Sequence, residues 1–123
     1  MTSISIQEVT KMYGKTVAVS NLNLECGSGE FLCVLGPSGC GKSSTLRMLA
    51  GIEHVTAGTI RFGNRDVNLV PPMDRDIAMV FENYALYPHK TVFDNMANSL
   101  RLRQTPTSEI NERVHRAAKL LQI

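Results

Sequence analysis

The sequence predicts an α/β domain in which an antiparallel β-subdomain precedes a core of buried strands and helices. Two runs of five apolar residues, 31–35 and 77–81, do not alternate with polar residues, which is typical of strands buried on both faces of a parallel sheet. Before residue 30, apolar and polar residues alternate instead, which indicates an antiparallel hairpin. A glycine-rich segment follows the first apolar run and leads into a helical pattern. We therefore expect a strand, a loop and a helix in succession.

The predicted hairpin turns at Gly14. Its two alternating stretches carry apolar residues at Ile4, Ile6, Val17, Val19, Leu22 and Leu24. Residues 58–62, which precede the Gly63-Asn64 turn, predict a further short strand. These segments should form an antiparallel sheet.

Three helices are predicted. The first covers about residues 42–50 and stops at Gly51. The second follows Thr91, which can form a capping box with Asp94. The third begins near Thr107, and its inward positions are Ile110, Val114, Ala117, Ala118 and Leu121.

Length and composition restrict the class of protein. The chain has 123 residues, enough for one domain or part of one, and we assign residues 1–30 to the β-hairpin region, 31–91 to the core and 92–123 to the start of a helical subdomain. Thirteen basic and eleven acidic residues are interspersed and leave a net charge of +2, so no nucleic acid partner is expected. The first residues lack a secretory pattern and no apolar run could span a membrane. We expect a chain that stays inside the cell and reaches membranes only through a partner.

The segment GPSGCGKSS matches the phosphate-binding pattern GxxxxGK[ST], known as the P-loop, in full. Glycines let backbone N–H groups turn towards a phosphate, Lys42 can reach the β and γ oxygens, and Ser43 can place its hydroxyl on Mg²⁺. A chance glycine-rich turn is the alternative, but the preceding apolar run and the following helix favour the P-loop. The predicted cofactors are ATP and Mg²⁺, and the predicted ligand-binding residues are Gly36, Pro37, Ser38, Gly39, Cys40, Gly41, Lys42, Ser43 and Ser44.

The flanks of the loop carry a family resemblance. With Tyr13 on a hairpin before the loop and PPMDRDIAMVFENYALYPHKTVFDNMA after it, the chain resembles the ATP-binding cassette (ABC) ATPases of bacterial and archaeal importers of sugars and glycerol phosphates. The resemblance implies that Tyr13 stacks on adenine, although a structural tyrosine at the strand end is the alternative. It also places Glu82 where the family has a glutamine that touches Mg²⁺ and the attacking water. Lys42 and Glu82 are thus the candidate catalytic residues, and Ser43 and Glu82 the candidate metal ligands.

The same resemblance implies a P-loop NTPase core of the ABC type with an antiparallel β-subdomain. Its implied partners are membrane-spanning permease subunits and a second ATPase subunit, in a homodimer or pseudo-dimer, on the cytoplasmic side of the cell membrane. The 123 residues contain no apolar run ending in an Asp-Glu pair, no LSGGQ-like segment and no histidine switch. The resemblance therefore covers about the first half of such a domain and stops before the signature motif, so we expect these residues alone to bind ATP without hydrolysing it.

Two other functions remain open at this level. A P-loop kinase for small molecules would explain the loop, but not the hairpin before it. A nucleotide-binding or interaction module without turnover would explain the missing catalytic motifs.

Overall fold

The computed structural model describes residues 2–123 and consists of two compact units, Met1–Met79 and Val80–Ile123. The first unit contains an antiparallel sheet of four strands: β1 (Ile4–Tyr13), β2 (Thr16–Cys26), β3 (Ala57–Phe62) and β4 (Arg65–Asp66), in the order β2-β1-β3-β4. The predicted hairpin is confirmed as β1 and β2, and the predicted short strand as β3. In the central strand, Ile6 pairs with Leu24 on one side and with Ile60 on the other.

One helix packs on this sheet. Helix α1 (Lys42–Leu49) ends where the sequence predicts, because Gly51 adopts a left-handed conformation with φ of 73°. The same unit contains a single 3₁₀ turn at Pro72–Asp74. Its core joins the inward positions of the strands to the buried face of the helix and comprises Ile6, Val9, Val19, Met48, Ile60 and Val67.

The second unit is a pair of helices, α2 (Val92–Leu102) and α3 (Thr107–Leu121). The predicted cap at Thr91 is confirmed, because its hydroxyl accepts a hydrogen bond from the Asp94 N–H at 3.1 Å. The Asp94 carboxylate accepts from this same hydroxyl at 2.7 Å, whereas in a full capping box it accepts from the Thr91 backbone N–H. The two helices bury a small cluster of Ala97, Ile110 and Val114. The inward position predicted for Leu121 is wrong, since this side chain is 66% exposed.

The two predicted buried strands are also wrong. Residues 31–35 and 77–81 belong to no strand, and Phe31 and Val80 are 90% and 85% exposed. A strand buried on both faces needs neighbouring strands for its N–H and C=O groups and helices to cover both of its faces. Among residues 2–123, the four strands of the sheet leave both segments unpaired. Most of their apolar side chains therefore remain at the surface, while Met79 and Phe81 are half-buried. Cys33, predicted in the first segment, is exposed as well.

Candidate functional site

The glycine-rich loop closes around one ammonium group. The Lys42 side chain folds back so that Nζ donates to the carbonyl oxygens of Gly36 and Pro37, each at 2.6 Å. The same Nζ lies 3.4 Å from Cys40 Sγ. An added Cβ at Gly36 would lie 2.6 Å from Cys40 Sγ, so a larger residue there would displace the Cys40 side chain. The structure thus brings four of the predicted loop residues together around the lysine.

Gly41 joins this loop to helix α1. It has φ of 95°, a left-handed value that favours glycine, and a Cβ there would lie 2.6 Å from the Ala18 carbonyl oxygen in β2. Its own carbonyl accepts hydrogen bonds from the Thr45 N–H at 2.9 Å and the Thr45 hydroxyl at 3.0 Å. The close approach to β2 fixes the start of the helix against the sheet.

The loop and the N-terminus of α1 both favour the binding of an anion. The N–H groups at the start of a helix point outward and carry its positive end, and the first turn of α1 contains no acidic residue. Residues 36–40 and Ser43 are exposed, Ser44 is half-buried, and the Lys42 ammonium adds a full positive charge. This arrangement can hold a phosphate chain, with the Ser43 hydroxyl available to a cation that accompanies it.

Tyr13 lies at the end of β1, where it pairs with Thr16 across the hairpin turn. It is 43% exposed. The Lys11 ammonium lies over its ring, 4.8 Å from the centroid. The ring therefore has both a structural neighbour and an open surface, which leaves base stacking a prediction.

Glu82 belongs to the second unit. It is exposed and lies in a turn that follows residues 77–81. The loop after it is tied to α2 by Asn95, whose side-chain carbonyl oxygen accepts from the Tyr87 N–H at 2.8 Å and whose amide donates to the carbonyls of Tyr87, Lys90 and Thr91 at 2.9–3.2 Å. The roles of Glu82 as metal ligand and catalytic residue stay predictions.

Sequence reasoning missed two buried cations in the first unit. Arg75, 6% exposed, donates hydrogen bonds of 2.8 Å to the carbonyl oxygens of Met48, Leu49 and Val70, and burial lowers the pKa of its guanidinium. Lys11, 8% exposed, pairs with Glu53. Lys11 carried no signal of burial in the sequence, because the alternation set by Ile4 and Ile6 predicts an outward position for it. An irregularity in the pairing of β1 between Ile6 and Val9 brings Lys11 inward.

The comparison with protein families decides the class of this chain. The sequence model of the ABC transporter family matches residues 19–123. The chain belongs to this family. Its relatives include an osmoprotective compounds uptake ATP-binding protein of Synechocystis, 57% identical over the whole chain, and an sn-glycerol-3-phosphate import ATP-binding protein of Ralstonia nicotianae, 52% identical over the whole chain. The predicted resemblance to the ATP-binding subunits of ABC importers is thus confirmed.

The chain spans 34% of the length of each of these two relatives. Among solved structures, it resembles a dimeric ATP-binding cassette, MJ0796, bound to ADP and phosphate, with a TM-score of 0.87 and 27% identity. That match covers 98% of this chain and 57% of the cassette, which confirms the predicted fold class. No helix within residues 2–123 has the length and apolar character needed to cross a membrane.

Proposed function

We propose that this chain is the ATP-binding, amino-terminal part of the ATPase subunit of an ABC importer. Gly36 to Ser44 bind the phosphates, Lys42 neutralises charge on the β and γ groups, and Tyr13 stacks on adenine. In the whole protein, hydrolysis of ATP drives solute uptake, with a carbohydrate as the proposed solute class. The loop geometry around Lys42 carries this proposal, together with the membership of the family.

Ser43 fits Mg²⁺ at the phosphates, and Glu82, which belongs to the second unit, is proposed as a ligand from the family resemblance alone. Ser43 offers a hydroxyl oxygen on the first turn of α1, and Glu82 offers a carboxylate; both are exposed and both are the hard oxygen ligands that Mg²⁺ prefers. Residues 2–123 hold no cluster of three or more acidic, histidine or cysteine side chains suited to a metal. Mg²⁺ binds such sites through few protein ligands, together with substrate phosphates and waters. When bound, it would neutralise charge on the phosphates.

The partners follow from the family. We propose that the whole protein docks with membrane-spanning permease subunits on the cytoplasmic side of the membrane and pairs with a second ATPase subunit. The names of these two relatives support the importer role: they concern the uptake of osmoprotective compounds and the import of sn-glycerol 3-phosphate. The dimeric state of the similar cassette supports the pairing.

Isothermal titration of the 123-residue chain with Mg-ATP tests the binding role. Lys42→Met keeps the length of the side chain and removes its charge, so it should weaken binding at least about tenfold, since a hydrogen bond to a charged group is worth about 1.5–3 kcal/mol. Lys15→Met removes an exposed charge from the hairpin turn and serves as the matched control. Equal affinity in Lys42→Met and the wild type would remove the assignment.

Phosphate release from the same samples tests the expected lack of turnover. These residues supply ground-state contacts to phosphate, whereas acceleration requires groups that act on the attacking water and on charge that develops in the transition state. We expect release at the background rate. Steady release that disappears in Lys42→Met would contradict this, and transfer of phosphate to an acceptor other than water would favour the kinase alternative.

A further inference from the structure

A partly buried ion pair lies beside the aromatic residue proposed to hold the base. Lys11 is 8% exposed, and its Nζ lies 2.9 Å from Glu53 Oε2 and donates to the His54 carbonyl oxygen at 2.8 Å. A lysine buried to this extent requires partners, because an unpaired ammonium is costly to remove from water. These contacts hold the ammonium group at one point between β1 and the segment that follows α1.

The same ammonium contacts Tyr13. Residues 11 and 13 lie two apart on β1, so their side chains share one face of the strand, and Nζ is 4.8 Å from the centre of the ring. The pKa of Glu53 is lowered chiefly by its hydrogen bond from Lys11, and a hydrogen bond with Tyr13 contributes to a smaller extent. Lys11, Glu53 and Tyr13 therefore form one connected group.

We propose that Lys11 and Glu53 are positioning residues for Tyr13 and that they set how strongly the site discriminates a nucleoside triphosphate from a bare chain of phosphates. This inference rests on the proposed function. A cation over one face of an aromatic ring attracts the ring and leaves the other face for a base. A ring already held in place loses less conformational freedom when the base arrives, so binding costs less.

The test compares two probes on the 123-residue chain: Mg-ATP and Mg-tripolyphosphate, which lacks the base and sugar. Lys11→Met removes the charge at similar length, Lys11→Arg restores it, and Lys15→Met is the control for loss of an exposed lysine on the same hairpin. In Lys11→Met, we expect the affinity for ATP to fall about two- to fivefold, which corresponds to the usual strength of a cation–π contact at an exposed site, and the affinity for tripolyphosphate to stay constant. Lys11→Arg should recover most of the loss.

A double-variant comparison shows whether Lys11 acts through Tyr13. Tyr13→Ala alone should lower the affinity for ATP, and adding Lys11→Met to it should then have little further effect. Additive losses would overturn the inference, and so would a Lys11→Met variant that binds both probes like the wild type. If Lys11→Met fails to fold by circular dichroism, Glu53→Gln, which keeps the lysine and loosens its position, replaces it with the same expected discrimination.

The outcomes also separate this inference from the proposed function. A wild-type chain that binds tripolyphosphate and ATP equally well would keep the phosphate loop and overturn the role of the Lys11 group. A wild-type chain that binds neither probe would overturn the proposed function, and the inference with it. A parallel fall for both probes in Lys11→Met would indicate a structural role in the hairpin and would contradict the inference.

Discussion

Removal of the Arg75 side chain should destabilise the helix that carries the phosphate loop. The guanidinium donates to the carbonyls of Met48 and Leu49 at the end of α1 and to Val70, each at 2.8 Å. Met48 also accepts a hydrogen bond from the Gly51 N–H, so Arg75→Ala leaves mainly two acceptors without their donor. An unsatisfied buried acceptor costs about 1–3 kcal/mol, but these two acceptors are only partly buried and the variant also relieves a buried charge, so we expect a loss of about 2 kcal/mol in the free energy of unfolding.

Urea unfolding followed by far-ultraviolet circular dichroism measures this loss, and hydrogen exchange of the α1 amides shows where it falls. Arg61→Ala, which removes an exposed arginine from β3, is the matched control and should change stability by no more than about 0.5 kcal/mol. Total stabilities of small domains are about 5–15 kcal/mol, so the expected loss is a large share. An Arg75→Ala variant as stable as the control would refute the argument.

Gly51 gives a second check on the same contact. Its φ of 73° strains any other residue, and a Cβ there would lie 2.5 Å from Arg75 Nε. Gly51→Ala should therefore cost more in the wild type than in Arg75→Ala, where the clash is absent and only the backbone strain of about 1–2 kcal/mol remains. If the losses in the free energy of unfolding were strictly additive, Gly51 and Arg75 would not interact.

Two further predictions concern the caps and the loop. Hydrogen bonds from the Thr91 hydroxyl and then from Arg101 hold the pKa of Asp94 below its ordinary value of 3.8, so its contribution to stability is present at neutral pH and is lost as the pH falls through this depressed pKa. Thr91→Val should consequently lower the helix content at pH 7 relative to the wild type, and this difference should shrink well below pH 3.8; a constant difference in circular dichroism would contradict the linkage. In a Cys26→Ser, Cys33→Ser background, Mg-ATP should slow maleimide labelling of Cys40, because phosphates would fill the loop that closes over it, and an unchanged rate with saturating nucleotide would count against this.

Local signals were the reliable part of the sequence. The hairpin, the end of α1 at Gly51 and the N-cap at Thr91 each depend on residues that are near neighbours in the chain, and each is confirmed. The apolar run at 31–35 indicated only that burial of its side chains would be favourable. Burial of a strand also requires partners that come from elsewhere in the chain, and the sheet of the described residues supplies none for this run.

Contacts distant in sequence explain what was missed at the site. The loop around Lys42 was predictable because all its members lie within seven positions of one another. Lys11 binds His54, 43 residues along the chain, and Arg75 reaches back 27 residues to Met48, so no local pattern identifies either contact. The inward position of Lys11 also depends on the irregularity of β1 between Ile6 and Val9, which the alternation of the sequence does not predict.

The different surroundings of Lys11 and Lys42 show why the loop is left able to bind an anion. Lys11 is paired with the carboxylate of Glu53 at 2.9 Å, so its charge is compensated within the protein. The contacts of Lys42 are two carbonyl oxygens and a cysteine sulfur, and none of these groups is a carboxylate. Carbonyl dipoles hold an ammonium in place but do not cancel its charge, and the acid-free first turn of α1 adds the positive end of the helix beside it. Phosphate oxygens can therefore accept the hydrogen bonds that Lys42 otherwise donates to the loop carbonyls. They also supply the negative charge that these carbonyls lack.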